Sequence, residues 1–365
     1  MVMKQFLIIF ALLTLGGHTA HAQTVRIGVF SLFHPHSLRL EVPAGEAIVI
    51  HTDRSNFVLE RSAGQWTALV RSAGGAMILQ VGDETVRTDH ISATSRTVEQ
   101  VEFVLSVPEK IRRHYIGTLE IKSIHGALVP VVTMDLETAV ASAIQAECGP
   151  HTPLEALKAQ AVATRSYMVA AHGRHGGLFD FCDTTHCQYL REPPARGSAA
   201  DLATRATKGL VLAYHGEPFP AMFTRSCSGE TRTPEEDGYS TQGYPYFSVT
   251  CDYCRKHPRR WESRVSQKDA EILARQGEAG RLAIGRREGW DAVPSNDFTA
   301  RDEGDQVLLE GSGEGHGIGL CQRGAKAMSE SGAGFRQILE HYYPNTTIIG
   351  EVREVTTPGS LQAGK

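Results

Sequence analysis

The stretch HGRHGGLFDFCDTTHCQYL, residues 172–190, crowds Cys182, His186 and Cys187 into six positions, with His175 and His172 just upstream. Two thiolates and two imidazoles in one loop match the tetrahedral nitrogen and sulfur set that zinc takes in a closed structural site. The spacing is not a standard zinc-finger pattern. A Cys182–Cys187 disulfide is the rival reading in an exported chain. All 7 cysteines lie beyond the first 22 residues, and an odd number cannot pair completely. Cys148, Cys227, Cys251, Cys254 and Cys321 stand outside this loop. Cys251-x-x-Cys254 is compatible with a disulfide, half of a second metal site, or bonds to Cys227 or Cys148.

Three other stretches carry groups able to do chemistry. GSGEGHGIGL, residues 311–320, alternates its glycines, which fits neither the dinucleotide fingerprint nor the phosphate-binding loop. Alternating glycines instead allow close backbone approach and hold His316 at the mouth of the next helix, in a turn or a functional role. RSCSGETRT puts Ser226, Ser228 and Glu230 at the end of a strand, where hydroxyls beside glycine suit a sugar or a solvated loop. Glu147 precedes Cys-Gly-Pro at a junction between two helices, and by composition alone it reads as a surface carboxylate. The chain has no G-x-S-x-G nucleophile elbow and no H-E-x-x-H zinc motif. His34 and His36 flank Pro35 and read as a turn rather than a metal pair.

The elements that must position these groups are legible in the patterning. Residues 25–128 hold short β-rich runs such as SLRLEV, EAIVIHT and QVEFVLSV, punctuated by Gly, Asn, Asp and Ser, several of them alternating apolar with polar. A helix follows in DLETAVASAIQAEC, capped by Asp135, with Leu136, Val140, Ala143 and Ile144 on one face. Thr152-Pro153-Leu154-Glu155 reads as a capping box with proline in the first helical position. The helix it opens buries Leu154, Leu157, Ala161, Val162, Tyr167 and Met168 and stops near Gly173. SAADLATRAT and SQKDAEILARQ, the latter capped by Ser266, read as helices; GLVLAYHG and PFPAMFTRSCSG read as strands. Near the end, a strand and the glycine-rich turn lead into two helices split at Gly332-Ala333-Gly334. Helices and strands without βαβ alternation, and without an internal repeat, give an α+β fold. It comprises a β-rich N-terminal module at 23–116, a mixed helix/strand region at 117–350, and a flexible tail at 351–365.

The chain of 365 residues is 41% hydrophobic and 21% charged, enough to bury a core. Residues 1–22 combine Lys4, an apolar run and a small-residue cleavage site, the pattern of a secretory signal. Export to the periplasm or cell-wall space is expected, with membrane attachment only if that segment stays uncleaved. A net charge of −4 excludes the global basic field that nucleic-acid binding needs. The local basic cluster CRKHPRRW reads as a solvated loop.

AECGPHTPLEALKAQAVATRSY, FCDTTHCQ and GEGHGIGLCQRGAKAMSESGAGFRQILEHYYPNT together resemble the stage II sporulation protein D (SpoIID)/LytB family, over residues 117–347. The resemblance implies that residues 117–350 form a catalytic region with a cleft, a peptidoglycan lytic transglycosylase acting on glycan strands, especially peptide-stripped ones, with Glu147 as its catalytic acid. The usual family pattern there is Glu-Met-Pro, whereas this chain has Glu-Cys-Gly-Pro. It also implies a structural zinc ion on His175, Cys182, His186 and Cys187. Lys158, Gln160 and Arg165 follow Glu147 on the next helix, either orienting the acid or sugar or bracing the helix. Ser226, Ser228, Gly229, His316 and Gln322 are candidate cleft residues. Two other readings stand beside this one. LytB relatives point to a non-catalytic glycan-binding protein that enhances a cell-wall amidase. A zinc amidase or peptidase is disfavoured, because the Cys-rich set leaves no open coordination position.

Overall fold

The computed structural model describes residues 23–350 except 97–99, 172–174, 238–242 and 246–247. The expected signal segment, the tail and His172 lie outside the described residues. Strands and helices segregate along the chain as an α+β fold, with a large curled sheet first and helices packed after it.

The sheet forms because its strands alternate. In Ser37–Glu41, Leu38 and Leu40 are buried while Arg39 faces out, and in Ala47–Thr52 Ile48 and Ile50 do the same inward work. Twelve described strands join it. Its hub is the long strand Ile111–Ile124. The first half pairs with Val101–Val107, and the second with Ala127–Asp135 and Ile91–Ser95. The crossover falls at Gly117, at φ +154°, where a Cβ would meet the Thr133 carbonyl oxygen at 2.2 Å. Only glycine permits that approach. The boundary expected between residues 116 and 117 therefore falls inside a strand, and the sheet continues across it to Asp135.

Asp135 ends the last long strand and caps the first helix, α1 (Leu136–Glu147), accepting from the Glu137 and Thr138 amides at 2.9 and 3.3 Å. The helix α2 (Leu154–Ala170) is buried on two sides. Leu157, Ala161, Tyr167 and Met168 pack into the core beneath the large sheet. Ala156, Ala159, Val162 and Ala163 pack into a second core. Leu154, expected inside, is 41% exposed, because the first turn of α2 projects beyond both cores. The capping box does not form either. Pro153 occupies the cap position, and the Thr152 hydroxyl donates to the Gly149 carbonyl at 2.8 Å. The Glu155 carboxylate instead accepts from the Phe335 amide at 2.9 Å.

The helix α3 (Ala199–Ala206) packs Ala200 and Ala203 into the first core. The second core is closed by the strand Val211–Tyr214 and three later helices, α4 (Asp252–Lys256), α7 (Gln322–Glu330) and α8 (Phe335–Tyr342). The break between α7 and α8 falls at Gly332-Ala333-Gly334, as the sequence indicates. Between α4 and α7 lies a small third unit. Its strands Arg260–Ser266, Gln306–Ser312 and Phe298–Asp302 pack under α5 (Gln267–Gln276, capped by Ser266) and α6 (Glu278–Glu288). The run PFPAMFTRSCSG holds only the end of the two-residue strand Glu217–Pro218, a second two-residue strand, Phe223–Thr224, and a bridge from Ser226 to Glu314.

Candidate functional site

Glu147 is the last residue of α1, at the seam where the large-sheet core, the second core and the small third unit meet. Two adjoining hollows open there, of about 420 and 630 Å3, and both are lined by Glu147, Arg225 and Glu314. The first continues past His186, Gln188 and His316 to Trp290 of the third unit. The second runs along α2 and α7, past Gln160 and Gln322.

The Glu147 side chain accepts from the Tyr189 amide at 2.9 Å, and its main-chain carbonyl accepts from Arg225 at 3.4 Å. By surface area the residue is half-buried, but its carboxyl is enclosed by protein. Burial lifts it from 4.5 to about 7, against the opposing pull of the Tyr189 amide and the Arg225 cation. Glu314 has a different environment, with Arg225 at 3.6 Å and Arg259 at 2.8 Å. Two guanidinium groups thus face that carboxylate.

Tyr189 is fixed by the cysteine–histidine loop. Cys182 ends a two-residue strand that extends the large sheet beside Gly28, and Asp183 is anchored by the Phe30 amide and the Arg113 guanidinium, both at 2.9 Å. One donor atom each from His175, Cys182, His186 and Cys187 lies within 4.8 Å of the other three. His175 Nε2 is 3.2 Å from Cys187 Sγ, and His186 Nδ1 is 3.5 Å from the same sulfur. Hydrogen bonding from Cys187, then from His186 and Thr184, lowers the Cys182 thiol to about 3. Two sulfurs and two imidazole nitrogens at this convergence fit a four-coordinate zinc ion.

His316 lines the first hollow, and the glycines around it work as the sequence indicates. Gly313, Gly315, Gly317 and Gly319 all lie at positive φ, and a Cβ on Gly319 would fall 2.0 Å from the Met222 carbonyl oxygen. His316 Nδ1 accepts from the Ile318 amide at 3.0 Å, so Nε2 carries the proton. Burial lowers its pKa to about 4, which keeps the ring neutral.

The remaining sequence candidates separate. Gln160 and Gln322 share the second hollow with Glu147. Lys158 pairs with Glu155 at 2.6 Å, away from both hollows. Arg165 is 1% exposed and bidentate on Glu137 at 2.6 and 2.9 Å, with further bonds to the Leu210 and Thr204 carbonyls. It is a brace between α1, α2 and α3, so its reading as a cleft residue is corrected; a buried guanidinium so fully paired has nothing to offer a ligand. Ser226 is buried under Arg323 and lines neither hollow. Ser228 and Gly229 border a separate depression with Glu230 and Arg232.

Arg225, Glu314, Gln188, Trp290 and the buried pair Glu278–Arg281 at 2.6 Å also line the site, and sequence reasoning missed them as site residues. Only the i,i+3 spacing of Glu278 and Arg281 was a usable signal. Gln160 Oε1, Gln188 Oε1 and Gln322 Nε2 are buried amide atoms with no partner among the described residues. All three residues border the hollows, where a polar ligand would supply the missing bonds.

Residues 125–214 match the family model described as SpoIID, Stage II sporulation protein. The stage II sporulation protein D of Bacillus amyloliquefaciens is 29% identical over 262 residues, covering 60% of this chain and 75% of that protein. An uncharacterized protein of Brachyspira hyodysenteriae is 25% identical over 267 residues, 64% of this chain and 72% of its own length. The amidase enhancer of Bacillus subtilis is 25% identical over 273 residues, 53% of this chain and 38% of its own. The matched segment runs from the end of the large sheet through α1, α2 and the cysteine–histidine loop to the strand Val211–Tyr214, and so contains Glu147, Tyr189 and the four cysteine and histidine residues: over these residues the chain matches the SpoIID family, as two of its three motifs indicate, the third lying beyond the matched segment.

Proposed function

We propose that this protein is an exported peptidoglycan lytic transglycosylase. It cleaves MurNAc–GlcNAc bonds, chiefly in peptide-stripped glycan strands, and leaves 1,6-anhydro-MurNAc ends. The observation that carries this reading is Glu147: an enclosed carboxyl raised to about 7, where two elongated hollows adjoin. Such a group both gives and takes a proton at neutral pH. Sugar units on either side of a scissile bond need room on either side of the acid, and the three glutamine amide atoms without a partner among the described residues suit their hydroxyl and acetamido groups. Trp290, 40% exposed, offers an aromatic face at the far end of the first hollow.

Protonated Glu147 gives its proton to the glycosidic oxygen as the bond from C1 breaks. Its carboxylate then takes the proton of the C6 hydroxyl of the same MurNAc as that oxygen bonds to C1. The leaving strand departs as an alcohol and Glu147 ends protonated. The tethered nucleophile supplies the entropic advantage that a free water lacks. A hydrolase would normally need a second working carboxyl group. Glu314, the other carboxylate lining both hollows, is instead neutralised by Arg225 and Arg259.

His175, Cys182, His186 and Cys187 would hold zinc, which would supply a closed structural anchor rather than a reactive ion. The anchored loop keeps the Tyr189 amide on Glu147. The expected leader segment supports action in the periplasm or cell-wall space; none of the described helices is long and apolar enough to cross a membrane.

The test is mass spectrometry of products from purified peptide-free glycan strands. Wild type should yield 1,6-anhydro-MurNAc ends and Glu147→Gln none. The relative named as an amidase enhancer supports a second reading, a glycan-binding protein that assists a wall amidase. Binding of strands by both forms with no fragments from either would establish that reading and remove the transglycosylase.

A further inference from the structure

We infer that the protein carries a second, structural zinc ion, held by the thiolates of Cys227, Cys251, Cys254 and Cys321, which ties together the wall of the second hollow. The four sulfurs lie within 4.8 Å of one another, and all four residues are at most 2% exposed. Zinc–thiolate bonds of about 2.3 Å in a tetrahedron set the sulfurs roughly 3.8 Å apart; Cys254 and Cys321 are 3.5 Å apart. Four protein donors with no solvent access make a closed site, the arrangement of structural rather than catalytic zinc. None of the four lines the hollows described above.

The surroundings are built for thiolates. The Cys227 amide donates to Cys321 Sγ at 3.3 Å. The Tyr342 hydroxyl lies 3.4 Å from Cys251 Sγ, and the Ser226 hydroxyl 3.7 Å from Cys254 Sγ. The Cys227 amide offsets sulfur charge, and the two hydroxyls pack against the other sulfurs and hold them in place. Space is also kept clear. A Cβ on Gly324 would fall 2.5 Å from Cys251 Sγ and 1.9 Å from the Tyr342 hydroxyl oxygen, so only glycine leaves both in place. The cysteine arithmetic also resolves. The two four-residue clusters take six of the 7 cysteines, leaving Cys148 alone beside Glu147.

The ion would join three segments distant in sequence: the loop after Phe223–Thr224, the α4 region and the start of α7. Arg225 stands two residues before Cys227, and Gln322 and Arg323 directly follow Cys321. The Arg323 amide donates to the Arg225 carbonyl at 3.3 Å. Fixing the sulfurs therefore fixes the side chains facing Glu147 across the second hollow.

Metal analysis and zinc X-ray absorption on the full wild-type chain, purified without chelator, test this without relying on a variant that folds. Two zinc ions per chain are expected, averaging three sulfurs and one nitrogen each, or one ion with four sulfurs if the cysteine–histidine loop holds none. Cys254→Ser combined with Cys321→Ser should lose one zinc while His186→Ala combined with Cys187→Ser keeps the four-sulfur spectrum. A single zinc with two sulfurs and two nitrogens would overturn the inference, as would iron at the four sulfurs. So would non-reducing peptide maps showing disulfides among these four cysteines. The first of these outcomes leaves the cysteine–histidine site standing, and none depends on glycan cleavage.

Discussion

Replacing Glu147 with glutamine should make the protein more stable at alkaline pH while removing its activity at every pH. In the folded chain the carboxyl is raised from its ordinary 4.5 to about 7 because it is enclosed. Between those two values the folded state holds a proton that the unfolded state has lost. Stability therefore falls as pH rises through that window and levels off above about 7. Integrated across it, the charged form costs roughly 1 kcal/mol at pH 5 and about 3 kcal/mol at pH 8. Glutamine keeps an oxygen for the Tyr189 amide but has no charge to bury. The variant should thus exceed wild type by only about 1 kcal/mol at pH 5, and by about 3 kcal/mol at pH 8. Urea unfolding at the two pH values, followed by tryptophan fluorescence, reads the difference directly. The same titration should appear in kcat/KM, which falls through a limb near pH 7 because the proton donor is lost. Removing the nearby cation with Arg225→Met should move that limb upward, since the Arg225 charge opposes the raised pKa. If Glu147→Gln gains nothing at pH 8, or the limb sits in the ordinary carboxylate range, the carboxyl is solvated and the argument for a poised acid fails.

Other parts of the site make separate demands. Glu137→Gln would leave the buried Arg165 guanidinium without its ionic partner and should cost about 3–5 kcal/mol in urea unfolding, with glycan affinity of the folded protein unchanged; a loss below about 1 kcal/mol would mean the pair is effectively solvated. Gly319→Ala places a methyl group against the Met222 carbonyl at φ +71°, so thermal stability and kcat should fall together, and an unchanged melting profile would contradict the close approach. Stripping metal from the cysteine–histidine loop should raise amide exchange across residues 182–189 and lower activity on peptide-free strands; verified metal loss with both unchanged would detach the loop from Glu147.

What was legible in the sequence was local. Alternation in Ser37–Glu41, the Asp135 and Ser266 caps and the glycine break before α8 are each decided by neighbours within a few residues, and each appears as read. The misreadings come from distance. Glu155 fits a capping box by spacing, but an amide 180 residues away offers it a partner. Arg165 stands near Glu147 in sequence, yet Glu137, 28 residues before it, claims its guanidinium. Arg225 opens RSCSGETRT and Glu314 lies within GSGEGHGIGL, but nothing local marks either as facing Glu147, which they reach only through the fold. The four buried thiols likewise span 94 residues and meet only when the second core closes.

The position of the groove follows from α2. A helix with one apolar face packs on one core and shows its other side to water. This one is apolar on both sides, and its long run of small residues lets two cores approach it closely. Where the cores part, its buried polar exceptions border the seam: Gln160 lines one hollow and Tyr167 the other. Glu147 ends the preceding helix at that same seam, so the packing that buries α2 also encloses the carboxyl and raises its pKa. Core and acid are thus one design problem, which is why relieving the charge at residue 147 should appear first as a gain in stability.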